Sequence, residues 1–109
     1  MSVKLTIRQV GDVTVVDAAG RITLGEGAIT FRDTIRDLAS KGNQKVLLNL
    51  SEITYIDSSG IATLLEATRN ARRQATRLVL RGLQDQIRYI LEISHLDQVF
   101  DIDREELCM

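Results

Sequence analysis

The chain has 109 residues, about the length of one domain, with 44% hydrophobic and 27% charged residues and a formal net charge of -1. This balance provides no global attraction to nucleic acid or to an anionic membrane, and 4% aromatic residues are too few for a base-stacking platform. The single cysteine, Cys108, forms no intrachain disulfide and indicates a reducing, cytoplasmic compartment. No segment approaches the roughly 20 apolar residues of a membrane helix, so we expect no membrane insertion.

The first residues predict an antiparallel hairpin. Apolar and polar residues alternate with the period of a half-buried strand, and a second apolar run follows Gly11-Asp12. Glycine at the first central turn position suits a two-residue type II′ hairpin. We expect Gly20 to close the hairpin and residues 20–27 to form a loop. The apolar positions are Val3, Leu5, Ile7, Val13, Val15 and Val16.

Helices and buried strands alternate in the rest of the chain. Residues 46–50 and 78–80 are short, nearly unbroken apolar runs, typical of strands buried on both faces. Three stretches with apolar residues at helical spacing surround them, over residues 28–39, 61–71 (or 61–75) and 83–91. Lys41-Gly42-Asn43 ends the first helix with a candidate left-handed cap. Residues 99–102 predict either an edge strand or a packed tail, and the acidic residues from Asp101 onward predict a solvated, frayed end.

This order of elements predicts an α/β fold. Strands separated by helices imply right-handed parallel crossovers, whereas the opening hairpin is antiparallel. We therefore expect a mixed sheet with the helices packed mainly on one side. No repeat, low-complexity segment or proline marks a domain boundary. The whole chain, residues 1–109, is expected to be one domain, with a core over about 3–100 and an acidic tail over 101–109.

Residues for catalysis or metal binding are sparse. The only histidine, His95, has its polar neighbours next to it in sequence and lacks the converging partners of a catalytic triad. One histidine and one terminal cysteine are too few for a zinc site. Gly25-Glu26-Gly27 lacks the spacing of a phosphate-binding loop, and Glu26 would repel an anion. We expect a structural or surface histidine, no enzymatic activity, no cofactor and no metal.

The segment Asp57-Ser58-Ser59-Gly60 lies between a strand and a helix. Asp and Ser are favoured N-caps, and a helix needs only one, so Ser58 is spare if Asp57 or Ser59 caps. Gly60 has no side chain and is expected to leave open space in which another molecule can approach the backbone closely. Taken alone, the tetrapeptide is most simply a helix cap.

Its context resembles a known family. The run from Leu48 to Ile61 is similar to the signature segment of STAS-domain proteins, specifically the bacterial anti-sigma factor antagonists. The opening hairpin, Gly20-Arg21-Ile22 and the strand at 78–80 extend the resemblance from Val3 to about Phe100. It implies a STAS-like mixed sheet and no catalytic role.

The resemblance also implies a partner-switching function. The unphosphorylated protein would bind an anti-sigma factor that is itself a serine kinase, and so release a sigma factor. That kinase would phosphorylate Ser58, the first serine of the motif, and a serine phosphatase would reverse the modification. Thr23 stands where family members often carry an acidic residue. The implied partner-binding residues are Arg21, Ile22, Thr23, Leu24, Asp57, Ser58, Ser59, Gly60 and Ile61.

Two other functions compete with this switch. Some STAS modules are not phosphorylated and serve as scaffold subunits in signalling assemblies or as small partners of lipid-transport complexes. These tend to lose or replace the serine, so Ser58 favours the switch. An enzyme on the same fold would need a convergent cluster of His, Cys or carboxylate groups, which the sequence does not offer.

Overall fold

A computed structural model describes residues 3–23, 26–96 and 99–102. Its strands form one sheet in the order β1-β2-β3-β4-β5, in which β1 and β2 are antiparallel and the other neighbours are parallel. The predicted α/β class and mixed sheet are therefore confirmed, and residues 99–102 contribute an edge strand. The elements are β1 (Val3–Val10), β2 (Val13–Ile22), α1 (Glu26–Ser40), β3 (Lys45–Ile56), α2 (Ser58–Arg73), β4 (Arg77–Arg81), α3 (Asp85–Ile93) and β5 (Asp101–Ile102).

The hairpin turn has the predicted geometry, but β2 continues beyond its predicted end. Val10 pairs with Val13, and the backbone φ is positive at Gly11 and not at Asp12, as a type II′ turn requires. Gly20 is the last residue of β2 that pairs with β1, opposite Val3, so the hairpin itself ends there as predicted. Gly20 has φ of 107° and lies at a register irregularity inside β2, which continues to Ile22. A bulge at a residue that tolerates positive φ lets the strand bend and keep pairing with β3.

The predicted loop over residues 20–27 is correspondingly shorter. The strand occupies its first residues, and α1 already begins at Glu26. Leu24 and Gly25 lie outside the described residues. At the other end of α1, Gly42 has φ of 85°, which confirms the predicted left-handed cap.

One face of the sheet carries the core. Val16, Leu48 and Leu80 are register neighbours on three adjacent strands, and each is fully buried. The same hydrophobic cluster includes buried residues from all three helices, so the helices share this face. The helical members with no exposed surface are Phe31, Ile35, Leu64, Ala71 and Leu91.

The opposite face of the sheet holds the buried Val15 and Val79 together with ion-paired polar residues. Asp17 accepts hydrogen bonds from Arg8 Nε at 2.6 Å and from Asn49 Nδ2 at 2.9 Å. Asp101 in β5 accepts one from Arg77 Nε at 2.7 Å. The expectation of a frayed end is thus wrong for Asp101, because pairing with β4 and this ion pair hold it in the sheet. Residues 103–109 lie outside the described residues.

The Asp17 contacts predict a pH dependence of stability. Hydrogen bonds from Arg8 and then Asn49 lower the pKa of Asp17 below its ordinary value. A carboxylate with a lowered folded-state pKa stabilises the protein above its unfolded pKa of about 4, and that stability is lost as the pH falls through the folded value. Asp17→Asn should therefore lose less stability than wild type in acid, measured by urea unfolding from about pH 2 to pH 7. Identical acid losses in the two proteins would contradict this expectation.

Candidate functional site

The chain turns from β3 into α2 at Asp57. This residue has φ of -106° and ψ of -173°, so it is extended, and its carboxylate accepts a hydrogen bond from the Gly60 N–H at 2.8 Å. Its carbonyl oxygen accepts the bond from the Ile61 N–H at 2.9 Å that opens the helix. Asp57 is therefore the N-cap, and Ser58 is the first helical residue.

Ser58 is left exposed by this arrangement. Because Asp57 supplies the cap, the Ser58 hydroxyl is not needed by the helix, as the sequence predicted. Within the described parts of the chain this hydroxyl makes no hydrogen bond, and the side chain is exposed. Ser59 is half-buried, and its carbonyl accepts a hydrogen bond from Thr63 Oγ1 at 2.9 Å. Of the two serines, Ser58 is therefore the more exposed to solvent.

Gly60 does not leave open space, and that expectation is wrong. The residue is buried, and a Cβ atom at this position would overlap the Ile22 carbonyl oxygen and lie 2.6 Å from Ile56 Cγ1. The cause is the extension of β2 to Ile22, which brings its backbone against the first turn of α2. Gly60 is required for helix–strand packing, and its missing side chain provides no access for a partner.

The other predicted binding residues divide by exposure. Arg21 is exposed and Thr23 is half-buried. Ile22 is 0% and Ile61 9% exposed, so these two residues are buried beneath the exposed ones. Leu24 lies outside the described residues, and its predicted contact stays a prediction.

An aromatic residue that the sequence analysis missed lies beside Arg21. Tyr55 is 47% exposed, and the Arg21 guanidinium carbon lies 4.9 Å from its ring centroid, within the range of a cation–π contact. The two residues are cross-strand partners only because of register shifts between β2 and β3. No pattern in the sequence marks those shifts, apart from the isolated Gly20.

The described residues form neither a metal-binding cluster nor a membrane-spanning helix. In the described ranges, no three His, Cys, Asp or Glu side chains are grouped to hold a metal ion. Among the helices that the structure describes, none is long and apolar enough to cross a membrane. His95 is exposed beyond the end of α3, in agreement with the prediction of a structural or surface residue.

The cap predicts a stability effect at Asp57. Asp57→Ala should lower the free energy of unfolding by about 1 kcal/mol, because the Gly60 N–H loses its acceptor. Asp57→Asn keeps a side-chain oxygen in the same place and should lose much less. Urea unfolding of both variants checks this expectation. Equal losses would mean that the charge of Asp57, and not its hydrogen bond, stabilises the helix.

The comparisons with known proteins identify the family. A family model described as "Mlab, STAS domain" matches residues 5–103. The chain therefore belongs to the STAS domain family, which confirms the resemblance drawn from the sequence. Among curated proteins, no sequence matches significantly.

Solved structures of anti-sigma factor antagonists share the fold. A protein from Thermotoga maritima described as a candidate antagonist is 21% identical, with a TM-score of 0.81 over 96% of this chain and 91% of that one. An antagonist from Mycobacterium paratuberculosis is 17% identical, with a TM-score of 0.79 over 93% and 85%. The Bacillus cell fate determinant SpoIIAA, in its phosphorylated form, is 20% identical, with a TM-score of 0.70 over 96% of each chain.

Proposed function

We propose that this protein is an anti-sigma factor antagonist whose partner binding is switched by phosphorylation of Ser58. The unphosphorylated form binds an anti-sigma factor serine kinase and releases a sigma factor. The kinase modifies Ser58, and a serine phosphatase restores the binding form. The protein acts in the cytoplasm, catalyses no reaction itself and uses no cofactor. The observation that carries the proposal is the exposed Ser58 hydroxyl beside a separate N-cap.

The fold tolerates a phosphate at this position. The first N–H groups of a helix have no intrahelical acceptor, and the helix dipole favours an anion there. A phosphoserine carries roughly -1.5 to -2 charges near neutral pH. The neighbouring Asp57 carboxylate repels the phosphate and so reduces this stabilisation. Its own hydrogen bond from the Gly60 N–H is kept. Phosphorylation should therefore leave the helix intact.

A bound partner does not tolerate the same phosphate. In the complex, Ser58 would lie in a desolvated patch next to the Asp57 carboxylate. A dianion at that place would lose its hydration and would be repelled by the Asp57 carboxylate. Changes to charged groups at such interfaces typically weaken the free energy of binding by about 2–5 kcal/mol. This is sufficient to switch binding off without a change of fold.

The proposed contact surface surrounds Ser58. Its exposed or half-buried members in the described chain are Arg21, Thr23, Asp57, Ser58 and Ser59. Thr23 carries no charge where family members often carry an acidic residue, so a partner would meet an uncharged side chain at this position. Ile22, Gly60 and Ile61 support this surface from the buried side.

A phosphorylation assay tests the proposal. The protein is mixed with ATP and serine-kinase anti-sigma factors encoded near its gene, and the modified residue is mapped by mass spectrometry. Transfer to Ser58, absent in Ser58→Ala, is the expected result. Failure of transfer with all of them would favour a non-phosphorylated STAS subunit of a signalling or lipid-transport complex.

A further inference from the structure

The outer edge of β1 is a long row of backbone groups to which no strand is paired among the residues that the structure describes. In the described part of the chain, β1 forms one edge of the sheet with eight residues, and β5 forms the other with two. The β1–β2 pairing runs from Val3 to Val10 without a register shift, so no bulge bends this edge away. A straight, uninterrupted edge of this length is a template for another strand.

The hairpin turn determines which groups of β1 point outward. A two-residue β-turn closes on a hydrogen-bonded pair, here Val10 and Val13. Hydrogen-bonded and non-hydrogen-bonded pairs alternate along an antiparallel ladder. The even-numbered residues of β1 therefore bond to β2. The residues that direct N–H and C=O groups to the free edge are Val3, Leu5, Ile7 and Gln9.

Two apolar side chains of β1 are half exposed. Ile7 and Val10 are each 52% exposed. Ile7 is paired with the fully buried Val16 and so projects from the face that carries the helices, yet the helices leave half of it uncovered. A strand added at this edge would cover Ile7 from the side.

We propose that a second copy of this chain pairs antiparallel with β1, with Ile7 directly opposite Ile7 of the second copy. This register pairs residues 4–10 of both copies and makes the central pair a hydrogen-bonded one. It places Leu5 opposite Gln9 and Lys4 opposite Val10. The resulting sheet is continuous across the two copies and holds ten strands, two sets of the five described.

The charges of β1 select this register over its neighbours. A pairing centred on Thr6 would put Lys4 opposite Arg8 twice, and one centred on Arg8 would put that residue opposite itself. Like charges directly opposite each other destabilise a strand pair. A pairing centred on Leu5 would leave Val10 uncovered. In the Ile7-centred register Arg8 faces Thr6, and it keeps its own counter-charge in Asp17 at 2.6 Å.

Sedimentation of the full chain over a range of concentrations tests the dimer. The wild type should show a mass that rises toward that of a dimer. Ile7→Lys should weaken the dimer at least about tenfold, because it buries two like charges at the centre of the pairing. Ile93→Lys, at a residue of α3 that is 59% exposed, is the matched control and should dimerise as wild type. A wild type that stays monomeric, or equal effects of the two lysines, would overturn the proposal.

Disulfide cross-linking tests the register. In a Cys108→Ser background, Ile7→Cys should form an intersubunit disulfide, since the Cα atoms of a hydrogen-bonded pair lie about 5.5 Å apart. Gln9→Cys should not, because its counterpart lies four residues further along the strand, roughly 13 Å away. Cross-linking of Gln9→Cys, or of neither variant, would contradict the proposed pairing. Neither experiment depends on phosphorylation of Ser58.

Discussion

A chain carrying Ser58→Asp is expected to fold as wild type and to bind its anti-sigma factor kinase roughly 100-fold or more weakly. The new carboxylate lies in the first turn of α2, where an anion is favoured by the helix dipole, so the folded domain is not destabilised. In the complex the same group is desolvated beside Asp57. Calorimetric titration gives the affinity, and thermal unfolding monitored by circular dichroism gives the stability.

Two variants separate this effect from other causes. Ser58→Ala should bind the kinase partner and resist phosphorylation, because it removes only the hydroxyl. Gln86→Glu adds the same negative charge to an exposed residue of α3 and should leave the affinity unchanged. Binding of Ser58→Asp as tight as wild type would show that charge at this position does not block the interface.

Gly60→Ala is expected to destabilise the protein by about 2–3 kcal/mol or more. Helix propensity alone predicts the opposite, because alanine is favoured over glycine in a helix by about 1 kcal/mol. The added Cβ, however, would overlap the Ile22 carbonyl oxygen and press on Ile56 Cγ1. A backbone carbonyl cannot move aside as the end of a flexible side chain can, so α2 must shift away from β2. The melting temperature should fall by roughly 10–20 °C.

Ser59→Ala is the matched control for Gly60→Ala. It changes the adjacent residue of the same helical turn and leaves the Asp57 cap and the contact with β2 in place. Its unfolding temperature should stay close to that of wild type. If Gly60→Ala were as stable as wild type, the packing of α2 against β2 would be looser than the structure describes.

The sequence predicted most elements because each depends on local patterns. Period-two and helical spacing located the strands and helices, and Gly11 predicted the type II′ turn that the structure has. The sequence-based predictions are wrong where contacts with a distant segment determine the local structure. Gly20 has the local character of a strand end, but pairing with β3 carries β2 onward to Ile22. Asp101 has the character of a solvated tail, but Arg77 of β4 holds it.

The candidate site divides in the same way. From the sequence alone came the family resemblance, the cap and the spare serine, because an N-cap and the residue after it interact only with the next turn of the same helix. The sequence left Asp57 and Ser59 as alternative caps, and the structure shows that Asp57 is the cap. The tertiary structure decided the long-range contacts of the site. It places the end of β2 in the space that a side chain at position 60 would occupy, and it places Arg21 over the ring of Tyr55. These last two contacts join residues more than thirty positions apart and depend on the register of β2 against β3, which no local pattern encodes.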